Sequence, residues 1–196
     1  MLIQVHYHKS GKPETDATAV GLYFADGPVD KQIHSSIVMP RRPGLFGRPE
    51  LRIPPGDANH EVRGETTIRD DSHLLAVFPH MHLLGRDFIM RAIQPDGSRQ
   101  TLIRIDDWDF NWQNPYEFVT PVALPKGARV EMVAHFDNSP GNIHNPSKPP
   151  VEVRWGEETT DEMCIGFLQL TRDDEHLGNK PPARFALPAN TGNRAD

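Results

Sequence analysis

The stretch Phe78-Pro79-His80-Met81-His82-Leu83-Leu84-Gly85 lies near the middle of the chain and follows the apolar run Leu74-Leu75-Ala76-Val77. In a β-strand the side chains alternate between two faces, so His80 and His82 would point the same way and Met81 the opposite way. Two imidazoles on one face of a strand provide half of a metal site. An isolated pair of this kind is more often a surface or packing feature, so the pair needs a further ligand from elsewhere in the chain.

The composition favours an all-β protein. The 196 residues include 19 prolines and 15 glycines, which favour short strands joined by turns. The net charge of -6 offers no basic surface for nucleic acid. No run of about 18 apolar residues is present, so we expect no membrane span. A single cysteine, Cys164, excludes an internal disulfide and is expected to be a buried, inert thiol.

Strand-like runs recur from Leu51 onward with turn residues between them, such as Pro95-Asp96-Gly97. No segment longer than ten residues shows a helical period. We therefore predict an antiparallel β-sandwich of jelly-roll type over residues 51–172. Its strands are expected at residues 60–68, 74–82, 88–93, 101–105, 117–119, 129–136 and 164–170.

The remaining segments suggest three further units. Two alternating runs within residues 2–24 are typical of a hairpin, and a hairpin alone is unstable. We therefore expect residues 1–26 to be the end of a domain whose earlier part is absent. Residues 27–50 are rich in proline and are interpreted as a linker. The polar residues 173–196 are interpreted as a tail.

Met163 precedes the last predicted strand and is a second type of candidate ligand. A methionine there is usually part of the core. If it faces His80 and His82, two imidazoles and one thioether form a set that suits copper, particularly Cu(I), better than zinc, magnesium or calcium. Trp108 and Trp112 either stack on a ligand or close one end of the sandwich. Asp161 and Glu162 either support the metal ligands or are simply exposed.

Two separated motifs together resemble a known family. Pro79-His80-Met81-His82-Leu83-Leu84-Gly85, followed far downstream by Asp161-Glu162-Met163-Cys164, is similar to the carboxyl-terminal domain of the copper type II, ascorbate-dependent monooxygenases. This family includes peptidylglycine hydroxylating monooxygenase and dopamine β-monooxygenase. Gln4-Val5-His6-Tyr7 resembles a strand near the end of the family's amino-terminal domain, and Ile53-Pro54-Pro55-Gly56 resembles the entry to the second domain. The segments most similar to the bacterial branch are residues 108–113 and 135–150.

The resemblance implies two β-sandwich domains that hold two copper ions across a cleft, with ascorbate as the reductant. His80, His82 and Met163 would hold the copper at which O2 reacts and the substrate is hydroxylated. His6 would be one of three histidines on an electron-transfer copper, the other two belonging to an amino-terminal domain. The family also implies an extracytoplasmic location, although residues 1–6 show no signal-peptide pattern.

The positions expected to contact substrate depart from those of the amidating members of the family. Where those members have an arginine, an asparagine and a tyrosine, this chain has Phe78, Ile165 and Phe167. A substrate carboxylate would find no positive partner there. Because the residues at these positions are apolar, we expect a small neutral or aromatic substrate. A copper-binding protein without turnover, and a ligand-binding sandwich centred on the two tryptophans, stay open as alternatives.

Overall fold

Ten strands make up the regular structure of the described residues. The structure, a computed structural model, describes Ile3, Val5, Tyr7, residues 10–40 and residues 50–178, and none of these residues is helical. The strands are β1 (His34–Val38), β2 (Arg52–Ile53), β3 (His60–Thr67), β4 (Ser72–Met81), β5 (Gly85–Ile93), β6 (Arg99–Ile105), β7 (Tyr116–Leu124), β8 (Arg129–Phe136), β9 (Val153–Arg154) and β10 (Cys164–Arg172).

Two four-stranded antiparallel sheets form the sandwich. Their strand orders are β1-β10-β4-β7 and β3-β8-β5-β6, and the short strands β2 and β9 pair separately. The predicted all-β sandwich is confirmed, and every strand expected after residue 60 is present. Alternation along β4 and β10 places one side of each strand in the core, because successive side chains point to opposite faces.

The core lies between the two sheets. Its largest fully buried side chains include Phe88, Phe136, Met132, Leu124 and Leu168. Cys164 is buried among them, with its Sγ 3.8 Å from the Sδ of Met132, and burial raises the pKa of this thiol. The interpretation of Cys164 as an inert core residue is therefore supported.

The amino-terminal part differs from the expectation. Within residues 10–33 no strand is formed, so the second arm of the predicted hairpin is wrong; most of the first arm lies outside the described residues. Leu22, Tyr23 and Phe24 are exposed, and apolar side chains without a sheet to cover do not hold a strand in place. Within the segment interpreted as a linker, β1 pairs with β10 and forms one edge of the sandwich.

The segment after β10 is attached to the sandwich and to the residues before β1. Lys31 Nζ donates to the backbone carbonyl oxygens of Arg172, Asp173 and Glu175. His34 and His73 contact the carboxylates of Glu175 and Asp173. The first residues of the predicted tail are therefore ordered against the body of the protein, at the end of β4 that is remote from His82.

The core makes a direct prediction about stability. Leu124→Ala removes a fully buried side chain from β7, and we expect it to lower the free energy of unfolding by about 2–5 kcal/mol through lost burial and a cavity. Val119→Ala on the same strand changes a fully exposed side chain and is the matched control. Urea unfolding followed by tryptophan fluorescence measures both, and equal losses for the two variants would contradict the described sandwich.

Candidate metal centre

The two histidines lie where the chain passes from one sheet to the other. β4 belongs to one sheet and β5 to the other, and residues 82–84 connect them. His80 lies on the outer face of β4, and Met81 is fully buried in the core, as alternation predicts. The rings of His80 and His82 are 5.1 Å apart between centroids and nearly perpendicular.

Met163 is brought to the same place by β10. This strand pairs with β4 so that Cys164 lies opposite Met81 and Ile165 opposite His80. Met163, one residue before β10, therefore reaches the end of β4. A cavity of about 410 Å³ is lined by Met163, the two histidines, Phe110, Gln113, Glu157 and Thr159.

The tautomer of His80 follows from its hydrogen bonds. Gln113 Nε2 donates to the backbone carbonyl of Phe110, so its Oε1 is the atom that faces His80. That oxygen only accepts, so the Nδ1–H of His80 must donate to it, at 2.6 Å. Burial lowers the pKa of His80, and the neighbouring His82 acts in the same direction while Gln113 opposes. His80 is therefore neutral near pH 7, with Nε2 free for a metal ion.

His82 is held in the same tautomer by a backbone group. Its Nδ1 lies 3.0 Å from the carbonyl oxygen of Asp161, which can only accept. Nε2 of His82 is consequently the nitrogen with a free lone pair. Two imidazoles that each donate through Nδ1 and keep Nε2 available have the arrangement typical of histidine metal ligands.

The donor set fits a soft metal ion. Within the part of the chain that the structure describes, no group of three His, Cys, Asp or Glu side chains is placed to hold a metal. Two imidazoles and one thioether around a single cavity are instead the donors that favour copper in its reduced state. His6 lies outside the described residues, so its expected role stays a prediction.

Three residues support the histidines, and the sequence indicates this role only for Glu162, as one of two alternatives. Trp108 is buried against Phe88, and its Nε1 donates to the carbonyl oxygen of His82 at 3.1 Å. Glu162 is fully buried, accepts hydrogen bonds from the backbone of this corner, and has its pKa raised to about 8 by burial, an effect that its N–H donors oppose. Gln113, the third, comes from a loop with no motif.

The two tryptophans differ in burial, and only Trp108 is part of the core. Trp108 packs in the core and leaves no room for a Cβ on Gly85, where the nearest ring atom would be 2.6 Å away. It therefore closes one end of the sandwich and is not a ligand platform. Trp112 is 65% exposed. His144, expected to be exposed, is exposed.

The residues expected at the substrate position lie together on the outer face of the same sheet. Phe78 and Phe167 are paired in register and stack with ring centroids 5.5 Å apart. The Phe78 ring lies 6.4 Å from the His80 ring. Ile165 lies opposite His80 and is 8% exposed. The half-buried Phe78 and Phe167 and the buried Ile165 form an apolar cluster beside His80, which we call the apolar wall.

The two sheets and the imidazoles and thioether beside one cavity define an all-β protein with a candidate copper centre. A family described as "Copper type II ascorbate-dependent monooxygenase, C-terminal domain" matches residues 44–173, which is 130 of the 196 residues. The chain belongs to this family.

The individual relatives share about a quarter of the aligned residues with this chain. The chain is 25% identical over 181 residues to DBH-like monooxygenase protein 1 of Gallus gallus and 24% identical over 182 residues to the protein of the same name of Homo sapiens. Each match covers 86% of this chain and 27% of the relative. The chain therefore spans about a quarter of the length of the curated relatives it matches. No helix within the described residues has the length and hydropathy needed to cross a membrane.

The hydrogen bond of Gln113 yields a prediction that needs no metal. Gln113→Leu removes the acceptor for His80 Nδ1–H, so we expect the His80 imidazole to populate both tautomers. Long-range ¹⁵N–¹H NMR of the copper-free protein reports this directly. His82 is the internal control, since its Nδ1 donates to Asp161, and an unchanged His80 tautomer would contradict the assigned role of Gln113.

Proposed function

We propose that His80, His82 and Met163 hold one copper ion in a monooxygenase domain that hydroxylates a C–H bond of a small neutral or aromatic substrate, with O2 as oxidant and ascorbate as reductant. The observation that carries the proposal is the convergence of the three side chains on one cavity. Copper bound there would supply O2 activation and one-electron chemistry. Overall, one oxygen atom enters the C–H bond, and the other leaves as water with two electrons and two protons.

The protein's own groups prepare the site for this ion. Gln113 and the Asp161 carbonyl orient the imidazoles so that both Nε2 atoms are free to bind. The thioether of Met163 favours Cu(I), the oxidation state that reacts with O2. No carboxylate takes part in the donor set, and this disfavours hard cations such as Mg²⁺ and Ca²⁺.

The apolar wall supports the proposed substrate class. The half-buried rings of Phe78 and Phe167 lie beside His80, and a neutral or aromatic molecule would bury its own apolar surface against them, next to the buried Ile165. A carboxylate placed there would lose its hydration without gaining a cation. The wall therefore favours substrates whose reacting end carries no negative charge.

Turnover also requires a source of electrons. We propose that His6 is one ligand of an electron-transfer copper, with the other ligands and the complete cleft supplied by an amino-terminal domain. The region matched in the relatives, 27% of their length, is compatible with a protein that has further domains. By family membership, we propose an extracytoplasmic location.

Copper binding is the first test. We expect one Cu(I) per chain at the proposed site, and substantially weaker binding in Met163→Ala and His80→Ala, because each loses one of three ligands. Competition with a chromophoric Cu(I) chelator measures the affinity. His144→Ala, which removes an exposed imidazole, is the matched control.

The possible outcomes separate the open alternatives. The proposed site would be overturned if the Cu(I) affinity of the wild type were no higher than that of Met163→Ala and His80→Ala. Tight Cu(I) binding without ascorbate-dependent O2 uptake, in a protein that also carries the proposed amino-terminal domain, would favour copper binding without turnover.

The substrate class has its own test. Phenylacetamide and phenylacetate have the same shape and differ in charge, and we expect the amide to perturb the NMR signals of Phe78 and Phe167 at lower concentration. Phe167→Ala removes half of the stacked pair and should weaken amide binding roughly threefold to tenfold. Phe24→Ala, an exposed ring in residues 10–33, is the control. Tighter binding of phenylacetate to the wild type would contradict the proposed role of the wall.

A further inference from the structure

The corner between the two sheets leaves backbone groups without strand partners. Residues 82–84 leave the ladder of β4 before β5 begins, so their N–H and C=O groups need other partners or lose free energy on burial. The carbonyl oxygen of His82 accepts from Trp108 Nε1, and that of Leu84 accepts from the backbone N–H of Asp137. The N–H groups of both residues point at one side chain, Glu162.

Both oxygens of the Glu162 carboxyl group accept hydrogen bonds from backbone N–H groups, three in all. Its Oε1 accepts from the backbone N–H of Leu84 at 2.6 Å, and its Oε2 accepts from those of His82 at 2.8 Å and Met163 at 3.2 Å. The side chain is fully buried, which is rare for glutamate without such partners. Two of the three donors therefore belong to residues that we propose as metal ligands.

We propose that Glu162 is a positioning residue that holds the His82 imidazole and the Met163 thioether in the relative positions needed to bind one copper ion. This inference rests on the proposed copper site. The two ligands come from segments about 80 residues apart in sequence. The pairing of β4 with β10 ends at Met81 and Cys164, one residue short of each ligand, so the final positions of His82 and Met163 depend on contacts outside the strands. One rigid carboxylate that bonds the backbone of both removes this freedom before the metal arrives.

The backbone carbonyl group of the preceding residue, Asp161, also orients the His82 imidazole ring. The carbonyl oxygen of Asp161 accepts from His82 Nδ1, and the next residue, Glu162, binds the His82 backbone. A displacement of Glu162 would therefore shift the backbone of His82 and the partner of its ring together. Support of this kind around a metal ligand typically accounts for about tenfold to a hundredfold in affinity.

Glu162→Gln is the decisive variant. The amide keeps the length of the side chain, but its NH2 group is a donor, so at least one backbone N–H of the corner would face another donor. We expect the Cu(I) affinity to fall by about tenfold or more, with weaker Cu–S scattering from Met163 in X-ray absorption spectra. Glu158→Gln, which changes an exposed carboxylate in the same loop, should bind Cu(I) like the wild type.

A purely structural role is distinguished by a second control. Leu124→Ala destabilises the sandwich beside the start of β4, far from the corner. If Glu162 only stabilises the fold, the folded Glu162→Gln protein will bind Cu(I) with wild-type affinity, as Leu124→Ala is expected to do, and the inference is overturned. Glu162→Asp keeps the carboxyl group, and a Cu(I) affinity higher than that of Glu162→Gln would support the inference.

A measurement on the copper-free wild type covers the case in which Glu162→Gln does not fold. We expect the backbone amides of His82 and Leu84 to be strongly protected from hydrogen exchange without metal, because Glu162 already holds them. Fast exchange of these amides that slows only on addition of Cu(I) would overturn the inference. A wild type that binds no Cu(I) would instead overturn the proposed copper site, so the two failures are separable.

Discussion

The crossing from one sheet to the other at residues 82–84 is the constraint on which the site depends. A chain that leaves one ladder and enters another must satisfy its backbone groups with side chains or with distant backbone. Here the indole of Trp108, the backbone of Asp137 and the carboxylate of Glu162 supply those partners. The same contacts that make the crossing possible in a buried position also fix the direction of the His82 side chain.

The site gains its chemistry from parts of the chain that are remote in sequence. The β4 strand and the residue after it contribute two imidazoles, the residue before β10 contributes a thioether, and the loop after β6 contributes Gln113. Antiparallel pairing of β4 with β10 brings the first two together, and it places Phe78 and Phe167 side by side along the same face. The pairing of β4 with β10 thus positions both the proposed copper ligands and the proposed substrate contacts. A shift of its register would disrupt both sets of residues.

Much of the fold is predictable from the sequence, because alternation and turn residues are local signals. The second arm of the hairpin predicted within residues 2–24 failed for the same reason: the local pattern is suitable, but within the described residues no sheet covers its exposed side chains. Glu162 could only be left open between a supporting and an exposed role. Its burial depends on the His82–Leu84 corner, which lies about 80 positions earlier in the chain.

The sequence by itself determined the all-β class, the common face of His80 and His82, and the family resemblance, since these follow from residue types and short spacings. Only the tertiary structure decided that Met163 shares their cavity, that Gln113 and Asp161 leave both Nε2 atoms free, and that Trp108 is a core residue. These features depend on which strands pair and on where loops close. Such long-range contacts are set by the packing of the whole sandwich.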